Sequence, residues 1–149
     1  MPQLLDPRLD ILPTAQKEIW PDLSAAPRLS LVLYGGTAVA LHLGHRQSVD
    51  FDFFRADPLN KAELREAFPF LDRSMVLQDA PDTFVVLAPS RSGNVKISFF
   101  GRIGIGRVRK PHLTRDRTLL IASLDDLMAT KLKVILDRAE ARTIETSPR

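Results

Sequence analysis

LYGGTAVALHLGHRQSVDFDFF, residues Leu33 to Phe54, is the stretch on which the reading of the fold turns. It follows on a short apolar run, LSLVLY (Leu29 to Tyr34), whose length and content predict a buried strand. Gly35-Gly36 ends that strand, and TAVALHLG has helical composition closed by Gly44. SVDFDFF then alternates polar and apolar and is rich in phenylalanine, which predicts a second strand. Successive strand side chains point to opposite faces. Asp50 and Asp52 therefore share one face, and Val49, Phe51 and Phe53 share the other.

Two carboxylates side by side repel, and each raises the other's pKa unless a cation lies between them. A divalent metal meets that need, and aspartates are hard oxygen ligands suited to Mg²⁺ or Mn²⁺, ions that commonly also bind substrate phosphates. The plain alternative is a solvated strand face that carries two acids. Gly35-Gly36-Thr37 bears on the choice. A strand, a glycine pair and a helix start bring bare backbone N–H groups and the positive end of a dipole to one place, an arrangement that binds phosphate. Arg46 and Ser48, just before the acids, have the chemistry to reach phosphate oxygens.

Outward from this stretch, Pro13 and Thr14 open a helix that runs to Trp20 and is broken by PDLSAAPR. PLNKAELREAF reads as an amphipathic helix, and MVLQ, TFVVLA and NVKISFF as three strands, with Gly93-Asn94 as a turn before the last. RIGIGRVRKPHLTRDRT is glycine-spaced and basic and reads as a loop. Its G-x-G lacks the third glycine and the helix start of a dinucleotide site. Arg102, Arg107, Arg109 and Lys110 in it read as solvated charges, with guidance of RNA as the alternative. SLDDLMATKLKVILDRAEAR opens on Ser123 with Asp126 three residues on, a capping pattern, and carries an apolar stripe of Leu124, Leu127, Met128, Leu132 and Ile135. Lys131 lies inside that stripe. His42, His45 and His112 lack metal-ligand spacing and read as surface or packing residues. The element order predicts one α/β (α+β) domain over residues 1–149, with a mixed sheet flanked by helices.

Bulk composition agrees. A chain of 149 residues with 44% hydrophobic content can bury a core, and 26% charged residues is ordinary for a soluble domain. No segment has the apolar length of a membrane span, and the N-terminal residues lack the charge and apolar block of a secretory signal. Cysteine is absent, so disulfides and thiolate metal sites are excluded and the cytoplasm is the expected compartment. A net charge of +3 is compatible with a phosphate-bearing partner.

GGTAVALHLGHRQSVDFDFF resembles the nucleotidyltransferase superfamily of DNA polymerase beta. More closely, it resembles the AbiEii/AbiGii toxin-type nucleotidyltransferases of bacterial abortive-infection and toxin–antitoxin systems. The pattern is a Gly-Gly or Gly-Ser at a helix start, about a dozen residues, and acid-apolar-acid on a strand. Here residues 37 to 49 separate Gly36 from Asp50. The Arg-x-Ser before the acids is matched by Arg46 and Ser48, and an Asp-Leu followed by lysine is matched by Asp126, Leu127 and Lys131. The resemblance implies that Gly35, Gly36 and Thr37, with Arg46, Ser48 and Lys96, bind the nucleotide. It implies that Asp50 and Asp52 hold Mg²⁺ (or Mn²⁺), and that Lys131 neutralises phosphate charge or orients the nucleotide. The implied activity is transfer of a nucleoside monophosphate from an NTP to an RNA or protein hydroxyl. A cognate antitoxin is the implied partner.

Two places depart from that pattern. NVKISFF is the strand that should carry a third carboxylate, but it puts Ser98 there, beside Lys96, with Val95, Ile97 and Phe99 facing the core. The end of the chain reads as shortened, with Thr143 near where an aspartate is expected. Both departures favour a second reading, a catalytically impaired nucleotide-binding or interaction module.

Overall fold

The computed structural model describes residues 4–43, 50–103 and 110–130. Arg46, Ser48, Lys131, Leu132, Ile135 and Thr143, and Arg107 and Arg109 of the basic segment, lie outside the described residues. Strands β1 (Leu4–Leu5), β2 (Val32–Tyr34), β3 (Asp50–Phe54), β4 (Met75–Ala80), β5 (Thr83–Ser90), β6 (Gly93–Phe100), β7 (His112–Thr114) and β8 (Leu120–Ile121) form one sheet. Their order across it is β1-β7-β8-β2-β3-β6-β5-β4. Helices α1 (Thr14–Ile19), α2 (Gly35–Leu43), α3 (Lys61–Ala67) and α4, described over 124–130, accompany it, with 3₁₀ turns at Trp20–Leu23 and Pro69–Arg73 among others. The sheet is mixed, as predicted: β2 runs antiparallel to β3 and parallel to β8, and β3 runs parallel to β6.

The centre of the sheet follows from side-chain period. All three residues of β2 are buried, in keeping with a short apolar run between two neighbours. In β3 the pattern alternates, with Phe51 and Phe53 fully buried and Asp50, Asp52 and Phe54 partly exposed. Phe53 stacks on Phe99 of β6 at 5.6 Å between ring centroids, and Phe68 lies 5.6 Å from the same ring. Trp20 reaches Phe51 at 6.4 Å. These rings, with Val86, Ile97 and Leu64, make the core beneath α1 and the 3₁₀ turn at Pro69–Arg73. Truncating Phe53 or Phe99 to alanine in such packing costs about 3–5 kcal/mol.

Helix ends obey local chemistry. Asn60 caps α3 by accepting the Glu63 N–H at 3.1 Å. At the start of α4 the Ser123 hydroxyl accepts the Asp126 N–H at 3.1 Å and donates to the Asp126 carboxylate at 2.8 Å, the capping arrangement read from the sequence.

Several expectations are corrected. The turn between β5 and β6 is at residues 91–92, and Gly93 and Asn94 open β6, because Ser90 already pairs with Gly93. The basic segment is not loop throughout, since His112–Thr114 is a strand that pairs with both β8 and β1. Met128 is 58% exposed and does not belong to the buried stripe, which among the described residues holds Leu127 with Leu124 packed beside it.

Candidate active site

The site is assembled where β2 ends against β3. Antiparallel register sets Tyr34 opposite Asp52, so the glycine pair that follows Tyr34 arrives beside that carboxylate. Gly35 has φ +79°, a left-handed conformation that side-chain-bearing residues rarely take. A Cβ built on it would stand 2.6 Å from the Asp52 carboxylate oxygen Oδ2. The backbone conformation therefore favours glycine, and a Cβ there would push the Asp52 carboxylate aside. Gly36, one residue on, is exposed at the first turn of α2, where backbone N–H groups have no intrahelical partner.

Thr37 is turned elsewhere. It is buried, and its hydroxyl donates to the backbone carbonyl of Asp50 while Gln16 of α1 donates to it at 3.5 Å. The side chain thus ties α2 to the start of β3, and the group of Thr37 left for an anion is its backbone N–H.

Asp50 and Asp52 share a face, as the alternation predicted. Burial of Asp52 raises its pKa, and the neighbouring Asp50 charge raises it further; Lys96 and a hydrogen bond from Ser98 pull the other way. The parallel register with β6 explains these contributions, for Asp50 lies opposite Lys96 and Asp52 opposite Ser98. Lys96 is exposed, whereas Ser98 is only 3% exposed. Opposite Asp52, β6 therefore presents a buried hydroxyl.

Two carboxylates on one face, one of them desolvated and carrying a repulsion that a cation would relieve, fit Mg²⁺, which is commonly held by one or two carboxylates plus substrate phosphates. Among the described residues no group of three His, Asp or Glu side chains offers a protein-only metal cage. Two cavities are lined by none of these residues. One of about 290 Å³ is lined by Leu9, Asp10, Lys17 and Trp20, and one of about 180 Å³ by Glu18, Ile19, Asp22, Pro89, Ser90 and Arg91.

Of the residues predicted for the site, Gly35, Gly36, Thr37, Asp50, Asp52 and Lys96 come together around the ends of β2 and β3. Arg46, Ser48 and Lys131 lie outside the described residues. In the basic segment, Arg102 forms an ion pair with Asp82 at 3.0 Å, and Lys110 is exposed. Sequence reading missed Gln16, whose side chain is buried beside Thr37 with Oε1 unpartnered among the described residues. Its signal was a lone amide one helical turn before Trp20 on an otherwise apolar face. It also missed the role of His42, whose Nε2 lies 2.8 Å from the Ala122 carbonyl and joins α2 to the approach of α4.

Residues 22–144 match the model of the AbiEii nucleotidyl transferase toxin family, described as a type IV toxin–antitoxin system. That span includes the glycine pair, both aspartates and Ser98. The chain belongs to the AbiEii family. An uncharacterized protein of Aquifex aeolicus (strain VF5) is 30% identical over 112 residues, which are 74% of this chain and 52% of that protein. Among solved structures, a candidate nucleotidyltransferase from H. pylori aligns over 79% of this chain and 56% of its own, with TM-score 0.59 and 19% identity, a likeness of fold. The AbiEii-family chain described here thus spans about half the length of the relatives it matches. Among its described residues, no helix is long and apolar enough to cross a membrane.

Proposed function

We propose that this chain is the nucleotide-binding part of a metal-dependent nucleotidyltransferase toxin. It transfers a nucleoside monophosphate from an NTP to a hydroxyl of an RNA or protein acceptor, and a cognate antitoxin opposes it. The observation that supports the reading is the close approach of Gly35 to the Asp52 side chain, which sets a helix start with unpaired N–H groups beside two strand carboxylates, groups suited to phosphate and to a divalent metal. Membership of the AbiEii family supports the same chemistry.

In this reading the acceptor oxygen bonds to the α-phosphorus, the bond from that phosphorus to the bridging oxygen breaks, and pyrophosphate leaves. Asp50 and Asp52 would hold Mg²⁺, which supplies charge neutralisation at the phosphates when bound. The backbone N–H groups of Gly36 and Thr37 orient the phosphates, and Lys96 lends positive charge beside the carboxylates. Ser98 replaces the acid that would take the acceptor's proton, so the proton passes to water. Thr37 holds β3 by its hydroxyl and thereby sets the position of Asp50.

Ser98 also supports a second reading, in which the site binds metal and nucleotide without turnover. Incubation with radiolabelled NTPs, Mg²⁺ and total RNA or protein separates the two. Label transfer by the wild type that Asp52→Asn abolishes, with an unchanged circular dichroism spectrum, is the result expected of the enzyme. Nucleotide binding without transfer, coupled with activity gained on Ser98→Asp, is the result expected of the impaired module.

A further inference from the structure

The face of the sheet that carries Asp50 and Asp52 changes character along the strands. Parallel register sets Asp50 level with Lys96, Asp52 with Ser98 and Phe54 with Phe100, and antiparallel register sets Tyr34 level with Asp52. Side chains alternate along each strand, so these residues share one face. The hydrogen bond between Ser98 and Asp52 and the ring contacts among Tyr34, Phe54 and Phe100 agree with that placement. The face therefore runs from charges at Asp50 and Lys96, through Asp52 and Ser98, to the rings of Phe54 and Phe100. The start of α2 meets the charged end, where Thr37 donates to the Asp50 carbonyl.

The aromatic row is not closed core. On the opposite face Phe51, Phe53 and Phe99 are fully buried, whereas Phe54 and Phe100 are each only partly buried. Phe54 stacks on Tyr34 at 4.6 Å between centroids with 18° between planes. Phe100 meets Phe54 at 5.5 Å and 81°, an edge contact, and stacks face to face on no ring among the described residues. A ring that solvent reaches and that no other ring covers offers its face to a flat aromatic ligand. Two residues of strand span about 7 Å, so the rings lie one ribose's length from the Asp52 row. A nucleoside triphosphate carries the same sequence of groups: anionic phosphates, a sugar and a flat aromatic base.

We propose, on the basis of the metal–nucleotide reading above, that Phe54 and Phe100 form the seat of the nucleobase. The NTP then lies along β3, with its phosphates toward Asp50 and its base stacked on Phe100, which Phe54 holds in place. Every base has an aromatic face, so this seat accepts all four NTPs and distinguishes them from the same triphosphate without a base.

Calorimetric titration in Mg²⁺ with each NTP and with ribose 5-triphosphate, which has the sugar and phosphates but no base, tests this. The wild type is expected to bind every NTP more tightly than ribose 5-triphosphate. Phe100→Leu is expected to weaken NTP binding about five- to fiftyfold and to leave ribose 5-triphosphate binding unchanged. That unchanged binding also reports a folded site. Phe100→Tyr, which keeps a ring, is expected to retain the wild-type affinity for both. Isotope-filtered NOEs from phenylalanine ring protons to the base protons of bound ATP are expected in the wild type, and they decide the matter even where Phe100→Leu folds poorly. Absence of those NOEs overturns the proposal, as does NTP affinity that Phe100→Leu leaves unchanged or equal weakening of both ligands in that variant. Unchanged NTP affinity with weakened binding of an acceptor RNA also overturns it, and assigns the rings to the acceptor. Ribose 5-triphosphate bound as tightly as NTP, and lost on Asp52→Asn, overturns the base seat alone. A wild type that binds neither ligand overturns the metal–nucleotide reading and this proposal with it.

Discussion

At the scale of single residues, the site is a set of conflicts settled by contact. Gly35 answers two demands, a left-handed backbone and the absence of a Cβ beside Asp52. Gly35→Ala is expected to cost roughly 1–2 kcal/mol from the strained backbone, and to displace the Asp52 carboxylate, whose Oδ2 would lie 2.6 Å from the new Cβ. Chemical denaturation measures the first effect and loss of metal-dependent nucleotide binding the second. Asp52 is the opposite case, a residue the fold tolerates at a cost. Burial and Asp50 both disfavour its charged form, so Asp52→Asn is expected to raise the melting temperature of the metal-free protein while removing its response to metal. A lower melting temperature in that variant would mean that the carboxylate supports the fold. The shared face of Asp50 and Asp52 was legible because strands have a period of two and both neighbouring phenylalanines need a core. The contact of Gly35 with Asp52 was not, because it depends on the register of β2 against β3, which no local pattern encodes. Thr37 was read toward phosphate from its place after the glycines, yet a hydroxyl buried at that turn has a nearer acceptor in the Asp50 carbonyl.

At the scale of elements, the longer ones and the short apolar run of β2 were legible, and the other short ones were not. The helix at Lys61–Ala67 declares itself by its amphipathic composition, and the strands β5 and β6 by their apolar, β-branched and aromatic runs. β1, β7 and β8 have two or three residues each, too few for any period to show, and they exist because the sheet offers them partners. What holds this end of the molecule is a set of polar ties. Trp20 donates to Asp116 at 2.8 Å, and the Thr114 hydroxyl donates to the same carboxylate at 2.7 Å while accepting from the Thr118 and Leu119 N–H groups. His42 ties α2 to Ala122 in the same region, with the His112 ring 5.2 Å away. Burial lowers the pKa of His42, against the pull of the Ala122 carbonyl, and the nearby His112 lowers it further. The folded state therefore binds fewer protons than the unfolded one below the ordinary value of 6.5. Its contribution to stability is present above that pH and is lost as pH falls through 6.5 toward the lowered folded value. The melting temperature is expected to fall on going from pH 7.5 to pH 5.5, and His42→Gln to flatten that part of the profile. An unchanged slope in the variant would exclude His42 as its source.

For the whole molecule, the sheet brings the Gly35-Gly36 turn and a carboxylate pair to adjoining strand ends near its middle, while β4 at one edge lies three strands from β3. The account's central claim is that Asp50, Asp52 and the Gly35-Gly36 turn form one metal–nucleotide site. The most direct test is a thermal melt of the wild type and of Asp50→Asn/Asp52→Asn, with Mg²⁺, with each NTP, and with both together. Ligand at a hundredfold excess over its Kd stabilises by about 2.7 kcal/mol, which for a chain of this size is a rise of roughly 5–10 °C. That rise in the wild type, larger with metal and NTP together than with either alone and absent from the double variant, is the predicted result. An equal rise in the double variant, or none in the wild type under any condition, would contradict the claim.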